Sequence, residues 1–440
     1  MLKNGKDEEN YNILSDHFIF ASDKFYNIFS LILTAMLKHG AANSFINQST
    51  IKPIPKNAQK SLSDSSNYRA ISKNSIVSKI IDYIIIDLIP EHLDTSDFLF
   101  GYKKGFSTSL CSFLVSETIQ YYRSRGSNVY MLSLDATKAF DRVQFTKLFN
   151  ILIGREICPL IIRLIMNIYL TSSAVVKWNN SISKSFKINN GVKQGAVISA
   201  FLFSLYIDPL LKNLKNSKLG CHFGNLNANA FAYADDIIIL APTCSSLNAL
   251  IAICEKYSEE FYVNFNPDKC TLLIFADSDF YFDNIKIKLC GQSVKNVKSE
   301  KHLGHFFQAK QNIINIDSVI KDLKVRTNVI VNQFGNISWK AKVKLFLSHC
   351  SALYGSQLWA LEDPNVKKLC VAWRVCCRKI LGLRPDARSY MLHHLMESMS
   401  IESMVKKRIL SFFTSGLKHN SPIISSFFLE ILYFLTPQVC

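Results

Sequence analysis

Apolar positions follow two different periods along the chain, and these periods predict its helices and strands. Apolar residues three or four apart predict helices within 1–45, over 76–88 and over 157–170. From residue 313 onward the pattern is helical again and strongly basic. Short apolar or alternating runs predict strands over 50–55, 67–72, 129–134, 231–233 and 237–240, with a hairpin within 174–188 and a turn and strand within 265–275. The pattern predicts an α+β protein with a helical C-terminal region.

The stretch 231–240, FAYADDIIIL, places two aspartates between two predicted strands. Ala234, Asp235 and Asp236 form the predicted hairpin turn. Two carboxylates about 4 Å apart repel each other by roughly 1 kcal/mol in water and by more at a partly buried site. A divalent cation bound between the carboxylates relieves this repulsion. In a turn that is fully exposed to solvent, water screens the charges and no cation is needed. The stretch alone therefore leaves a metal site and an ordinary turn as alternatives.

A third carboxylate ends another buried strand. Asp135 follows the run 129–134, and Phe140 comes five residues later, where the chain enters a helix. Adjacent antiparallel strands would bring Asp135 to the two aspartates that follow 100 residues later. Three carboxylates can hold two Mg²⁺ ions about 3.5–4 Å apart, which activate an attacking 3′-hydroxyl and stabilise a leaving pyrophosphate.

Basic and glycine-rich loops accompany these strands. Lys56 and Arg69 flank the loop between the strands 50–55 and 67–72, where two cations are suited to a polyphosphate. Lys103 and Lys104 lie in the loop FGYKKGFSTS, which enters a helix capped by Ser107 or Thr108 and suits a nucleic-acid backbone. The segment 191–195, GVKQG, precedes a long apolar helix whose N-terminus would favour a phosphate. Each loop alone is also compatible with a solvated loop.

Charge and cysteine content limit the class of protein. The 440 residues carry 51 Lys and Arg against 34 Asp and Glu, a net charge of +17 that indicates a polyanionic partner. No apolar run reaches the roughly 20 residues that span a bilayer, and the N-terminus lacks the character of a secretory signal. The 12 cysteines include no CxxC pair, and neither they nor His302 and His305 complete a zinc pattern. We expect an intracellular protein of the nucleus or cytoplasm, neither secreted nor inserted in a membrane.

Seven motifs in fixed order resemble one known family. NYRAIS, FGYKKGFSTS, SLDATKAFDRV, GVKQGAVISAFLFSLYIDPLL, FAYADD, FNPDK and KHLG are similar to motifs of the reverse transcriptase of non-LTR (LINE-type) retrotransposons. The resemblance implies an α+β right-hand polymerase fold. It divides the chain into an N-terminal helical segment (1–45), fingers (46–130), a palm (131–310, with the hairpin 301–307 as primer grip) and a helical thumb and connector (311–440).

The resemblance also implies roles for individual residues. Asp135, Asp235 and Asp236 resemble the metal ligands for two Mg²⁺ ions, with Mn²⁺ as an alternative. Lys269 resembles the lysine proposed to protonate pyrophosphate. The other implied roles are triphosphate binding by Lys56 and Arg69, exclusion of a ribose 2′-hydroxyl by Phe140, lining of the nucleotide pocket by Gln194 and Gly195, and contact with primer or template by Lys103, Lys104, Tyr233, Leu303 and Gly304.

The family resemblance implies an RNA-directed DNA polymerase that uses an RNA template, a DNA primer and deoxynucleotides. Ala70 and Ala200 stand where such sequences usually have proline, which loosens two loops. No endonuclease, CCHC knuckle or RNase H motif is recognisable, so we expect a polymerase segment of a longer element. The alternatives are a non-catalytic nucleic-acid-binding remnant and another palm-type nucleotidyltransferase, such as an RNA-dependent RNA polymerase.

Overall fold

A five-stranded sheet, here called the central sheet, organises the molecule. The computed structural model describes residues 7–8, 13–277, 284–309, 316–350, 353–359 and 364–435, so the first and last few residues of the predicted helical ends lie outside it. The strands of the central sheet, in spatial order, are Ala230–Tyr233, Asp236–Ala241, Val129–Asp135, Thr271–Phe275 and Lys295–Val297. All neighbours are antiparallel except the last pair.

Helices cover both faces of the central sheet because its strands alternate apolar side chains toward each face. One face packs on the helices Ile76–Leu88, Phe145–Gly154, Pro159–Leu170, Val197–Asn216 and Cys244–Phe261. The opposite face packs on Thr108–Arg123 and on the helix Pro422–Leu435, whose Phe427 stacks on Phe223 with the ring centres 4.0 Å apart. The C-terminal helix therefore returns to the sheet, which the sequence pattern does not predict.

A second sheet lies beside the central one. The strands Gln48–Pro55 and Tyr68–Lys73 pair antiparallel, as predicted, and Gln48–Pro55 also pairs in parallel with Ser173–Trp178. The predicted hairpin at residues 179 and 180 joins Ser173–Trp178 to Ser181–Ile182, and Phe186–Lys187 adds to the same strand. This sheet thus combines segments from the predicted fingers and the predicted palm.

The remaining helices form the two ends of the chain. Asp23–His39 packs on Pro159–Leu170 near the start. A separate apolar core near the C-terminus is formed by Ile316–Gln333, Trp339–His349, Pro364–Leu381 and Ile401–Leu417. Short helices or helical turns occupy Ser15–Ile19, Ser44–Asn47, Ser65–Asn67, Pro90–Leu93, Ala139–Arg142, Ser356–Leu358, Ser389–Met391 and Leu392–Leu395.

One helix among the described residues, Val197–Asn216, is long and apolar enough to cross a membrane, judged by length and composition. Buried positions make up 67% of that stretch, because it packs between the central sheet and neighbouring helices. A helix that is buried in the core of a protein can have the same length and apolar composition.

Candidate functional site

The register of the central sheet brings the three aspartates together. Asp236 lies directly opposite Asp135 on one neighbouring antiparallel strand. On its other neighbouring strand, Asp236 lies opposite Tyr233. The hairpin turn consists of Ala234 and Asp235, with Ala234 in the left-handed region at φ 58°. Asp236, which was predicted to lie in the turn, is instead the first residue of the following strand. Side chains directly opposite on antiparallel strands share a face with Cβ atoms about 4.5–5.5 Å apart. Asp135, Asp235 and Asp236, here called the carboxylate cluster, therefore meet at one end of the sheet.

Mutual repulsion and desolvation shape the protonation of the carboxylate cluster. Desolvation raises the pKa of Asp236 to about 6, and the charges of Asp235, Asp135 and Glu300 add to this effect. Desolvation also raises the pKa of Asp235, where Asp135 acts in the same direction and Arg69 opposes it. The three carboxylates thus concentrate negative charge in one place, which is the electrostatic condition that a cation site requires.

Cationic and thiol groups border the carboxylate cluster. The Lys269 ammonium lies 3.3 Å from Oδ1 of Asp135, so the turn 265–269 delivers a cation to the end of the central sheet. The backbone N–H of Asp135 donates to Sγ of Cys270 at 3.4 Å, which fixes the end of its strand. Arg69 is exposed on the strand Tyr68–Lys73 and faces this region from the second sheet.

Phe140 belongs to a group of aromatic rings that reaches the vicinity of Asp235 through Tyr102. Phe140 is half-buried and stacks on Phe203, with ring centres 4.5 Å apart and an angle of 16° between the rings. Tyr102 meets Phe140 edge to face, with the ring centres 6.4 Å apart. The predicted aromatic residue therefore rests on a rigid support, because Phe203 is buried on the helix Val197–Asn216.

The GVKQG segment is held against the second sheet. The N–H of Ser72 donates to the carbonyl of Gln194 at 2.7 Å, and the side-chain amide of Gln194 donates to Asp141 at 3.2 Å. Gly195 has φ +117°, and a Cβ atom there would lie 2.6 Å from the carbonyl oxygen of Ser72. The glycine is thus needed for the close approach of a protein strand, where the sequence suggested the approach of a ligand.

The N-terminus of the helix Val197–Asn216 is already occupied by a protein carboxylate. Asp82 accepts from the N–H groups of Val197 and Ile198 at 3.1 and 3.4 Å. Burial raises the pKa of Asp82 to about 6, although these hydrogen bonds and Lys193 oppose the shift. The expectation that this helix end favours a phosphate is wrong, because Asp82 caps it from the helix Ile76–Leu88.

The predicted basic residues differ in their surroundings. Lys56 is exposed and donates to the carbonyl of Ser66 at 2.9 Å. The Lys103 ammonium donates to the carbonyls of Thr95 and Ser96 at 2.8 and 2.7 Å, and burial lowers its pKa. Lys104 is exposed. Lys104 is thus presented to solvent, whereas the ammonium of Lys103 is engaged in holding its own loop.

The predicted primer-grip hairpin is formed by Ser299–His302 and His305–Gln308. Its turn places Leu303 at φ 50° and Gly304 at φ 84°, and the Tyr354 hydroxyl donates to the carbonyl of Leu303 at 2.8 Å. His302 and His305 face each other across the hairpin and are buried, and burial lowers the pKa of each to about 4. The hairpin therefore encloses a buried pair of neutral imidazoles, and the negative charge of Glu300 on its first strand raises the pKa of Asp236.

The carboxylate cluster offers oxygen ligands but only part of a coordination sphere. Among the described residues, no group of three or more His, Cys, Asp or Glu side chains is arranged to hold a metal ion by itself. Mg²⁺ sites that act on phosphates use one or two carboxylates together with waters and substrate oxygens. The concentrated negative charge and the hard oxygen donors fit such an open site.

The sequence alone did not identify several residues that shape the site. Tyr102 was visible as an aromatic residue inside a glycine-rich loop, and Asp82 as one of two aspartates within an apolar helix. Glu300 and Asp141 carried no sequence signal, because their roles depend on strands and loops that meet only in the folded chain.

Comparison with known proteins agrees with this geometry. Residues 54–307, more than half of the chain, match the model of the family described as reverse transcriptase (RNA-dependent DNA polymerase). The transposon TX1 uncharacterized 149 kDa protein of Xenopus laevis is 26% identical, over 76% of this chain and 25% of that protein. The Pol polyprotein from the type-2 retrotransposable element R2DM of Drosophila melanogaster is 24% identical, over 55% of this chain and 24% of that protein.

Similarity extends to a further retrotransposon protein and to a solved telomerase structure. The Pol polyprotein from the type-1 retrotransposable element R2 of Nasonia vitripennis is 29% identical, over 48% of this chain and 20% of that protein. The match thus spans about a quarter or less of these relatives. Apo telomerase from Candida Tropicalis superposes with a TM-score of 0.44 at 11% identity, over 93% of this chain and 74% of that chain.

The matched span contains the carboxylate cluster, Lys269 and the KHLG hairpin. Together with the mixed helix and sheet content, it confirms the predicted fold class, an α+β right-hand polymerase. The resemblance of the seven motifs to reverse transcriptases of non-LTR retrotransposons is confirmed as well. This chain belongs to the reverse transcriptase (RNA-dependent DNA polymerase) family, and the relatives that it resembles are proteins of non-LTR retrotransposons.

Proposed function

We propose that this chain is an active RNA-directed DNA polymerase that extends the 3′-hydroxyl of a DNA primer with deoxynucleotides along an RNA template. The observation that carries the proposal is the register that sets Asp236 opposite Asp135, with Asp235 in the adjoining turn. Family membership supports the reaction class, and the net charge of +17 suits binding of nucleic acid.

Divalent metal ions serve this family, and the carboxylate cluster would hold them here. Asp135 and Asp235 are the preferred ligands, and Asp236 would be the third carboxylate of the cluster that holds the metal ions. Bound Mg²⁺ would supply Lewis-acid activation of the primer hydroxyl and charge neutralisation at the leaving pyrophosphate. Mn²⁺ has the same preference for oxygen ligands and would substitute for it.

The side chains of the protein would bind and orient the substrates. Arg69 and Lys56 would contact the triphosphate from the second sheet, Arg69 through its bidentate guanidinium. Lys269, held 3.3 Å from Asp135, would donate a proton to the pyrophosphate oxygen as it leaves. Phe140 would exclude a ribose 2′-hydroxyl, and Gln194 and Gly195 would line the nucleotide pocket.

The remaining contacts concern the primer and template. Tyr233, opposite Asp236, would support the primer terminus, and Leu303 and Gly304 would hold the primer strand. Lys104 would contact the nucleic-acid backbone, with Lys103 fixing the loop that presents it. We further propose the division into fingers, palm and thumb that the motifs imply.

A primer-extension assay with matched variants tests this function. The unsubstituted chain, Asp235→Ala and Asp87→Ala are each given a DNA primer on an RNA or a DNA template with Mg²⁺. Asp87 is an exposed aspartate on the helix Ile76–Leu88, which makes it a suitable control. We expect extension by the unsubstituted chain and Asp87→Ala, and none by Asp235→Ala.

Template binding by the same proteins, measured by fluorescence anisotropy, separates catalysis from binding. We expect Asp235→Ala to bind primer–template as well as the unsubstituted chain does. Retained extension in Asp235→Ala would overturn the assignment. Binding without incorporation by the unsubstituted chain, with either Mg²⁺ or Mn²⁺, would favour a non-catalytic nucleic-acid-binding protein instead.

A further inference from the structure

The loop that carries Tyr102 is built onto the hairpin of the carboxylate cluster. The N–H of Phe100 donates to the carbonyl of Ala232 at 2.7 Å, and the N–H of Ala232 donates to the carbonyl of Phe98 at 2.9 Å. Leu99 forms an isolated parallel bridge with Ala232. Residues 98–100 thus add to the outer edge of the strand Ala230–Tyr233, so their position is tied to that of the Asp-Asp turn.

The backbone beyond this bridge is fixed as well. A Cβ atom at Gly101 would lie 2.6 Å from the backbone nitrogen of Ala234, so the glycine permits direct contact with the turn that carries Asp235. Tyr102 itself adopts φ 62°, a conformation that few non-glycine residues take. The Lys103 ammonium, bonded to two carbonyls, holds the next residue. Strain of this kind persists only where the surroundings determine the conformation.

The fixed loop places Tyr102 against Phe140. The two rings meet edge to face, with centres 6.4 Å apart and an angle of 79° between them. Phe203 stacks on Phe140 at 4.5 Å and is 1% exposed, so it provides an immobile support. Phe140 is therefore held by a buried ring and by Tyr102, which remains 48% exposed.

The phenol of Tyr102 also lies close enough to the carboxylate cluster to be affected by the charge of Asp235. Burial raises the pKa of Tyr102, and the nearby Asp235 and Tyr233 raise it further. The hydroxyl therefore remains protonated near the aspartates. This agrees with the position of the side chain between the carboxylate cluster and Phe140.

We propose that Tyr102 is a positioning residue for sugar selection, which fixes the ring of Phe140 in the orientation that excludes a ribose 2′-hydroxyl. This inference rests on the proposed polymerase function and deepens it. Loss of the Tyr102 ring leaves Phe140 free to rotate on Phe203, so a ribonucleotide gains room. The effect belongs to the ring and not to the hydroxyl, because the contact with Phe140 is made ring to ring.

Three variants distinguish this role from a structural one. Tyr102→Ala removes the ring, Tyr102→Phe keeps it, and Tyr262→Ala is the control. Tyr262 is a suitable match because it is also an exposed tyrosine, 60% exposed, with a left-handed backbone at φ 56°. A loop defect alone would lower the use of deoxynucleotides and ribonucleotides equally, whereas sugar selection changes their ratio.

The primary measurement is the ratio of kcat/KM for dATP to that for ATP in primer extension. We expect Tyr102→Ala to lower this ratio by about 2- to 12-fold, the range that one edge-to-face aromatic pair supports. Tyr102→Phe and Tyr262→Ala should leave it unchanged. In a Phe140→Ala background, Tyr102→Ala should have no further effect, because both residues act through one contact.

A binding measurement gives the same answer without turnover. The ratio of affinities for dATP and ATP is measured on the protein bound to a primer–template with a 3′-deoxy primer end. If Phe140→Ala relaxes selection and Tyr102→Ala does not, the inference fails while the proposed function stands. If the unsubstituted chain neither binds nor incorporates nucleotides, the proposed function fails and the inference fails with it.

Discussion

Asp135 and Asp236 lie directly opposite each other on adjacent antiparallel strands of the central sheet. This pairing joins two carboxylates that are separated by 101 positions in the sequence, and it places both at the sheet end where the turn carries Asp235. The strands behind them are almost fully buried between helices on both faces, so a one-residue slip in register would exchange the side chains that pack on each face. The geometry of the site is thus coupled to the stability of the core.

The first prediction concerns this pair. Asp236→Asn should raise the Mg²⁺ concentration for half-maximal primer extension by about tenfold, because it removes one of the charges that hold the cation. The deoxynucleotide concentration for half-maximal rate at saturating Mg²⁺ should change little. A Mg²⁺ titration of the extension rate tests this, with Asp87→Asn as an exposed control. An unchanged titration would remove Asp236 from the metal site.

The second prediction concerns Lys269. Lys269→Ala should lower kcat by about 100-fold, since loss of a positioned general acid has effects of this order. The affinity for primer–template should stay constant, because the ammonium contacts Asp135 at the end of the central sheet. Single-turnover extension and anisotropy measure the two quantities. Lys256→Ala serves as a control for the loss of one positive charge. Equal losses in rate and in binding by Lys269→Ala would instead assign Lys269 to nucleic-acid binding.

The third prediction concerns Gly195. Gly195→Ala should destabilise the protein by about 2 kcal/mol and slow extension, since it adds a Cβ atom 2.6 Å from the Ser72 carbonyl at φ +117°. Gly126→Ala is the matched control, because Gly126 also has positive φ but a methyl group added there would have no atom within 4 Å. Urea unfolding compares the two. Equal destabilisation would attribute the effect to backbone conformation and not to the contact with Ser72.

The fourth prediction concerns pH. Burial lowers the pKa of His302 to about 4, below the value of about 6.5 in an unfolded chain. A lowered folded pKa contributes stability above the unfolded value, and this contribution is lost as the pH falls from about 6.5 to 4. His302→Gln should therefore lose less unfolding free energy over this interval, by up to about 3 kcal/mol.

Urea unfolding at pH 4.5 and pH 7 measures this difference. His394→Gln is the control, since His394 is exposed. If the unsubstituted chain and His302→Gln show the same dependence on pH, folding does not lower the pKa of His302.

Local sequence predicted several helices and hairpins, because helix capping, apolar spacing and turn residues determine such elements locally. The helix Ile76–Leu88 has the predicted bounds, since its apolar residues repeat at helical spacing and Ser75 caps it. The Asp-Asp hairpin and the hairpin through residues 179 and 180 are also formed where predicted. The seven motifs were sufficient to recognise the family, because their order and spacing are properties of the sequence itself.

Only the tertiary structure decided how these elements meet. Whether Asp135 faces Asp236 depends on strand register, which is set by the burial of both faces of the sheet and not by either strand alone. The cap that Asp82 places on a helix more than 100 residues later, and the contact of Tyr102 with Phe140, likewise join distant segments. The sequence determined which chemical groups the protein carries; long-range packing determined which of them lie side by side, because hydrophobic periodicity specifies a face but not a partner.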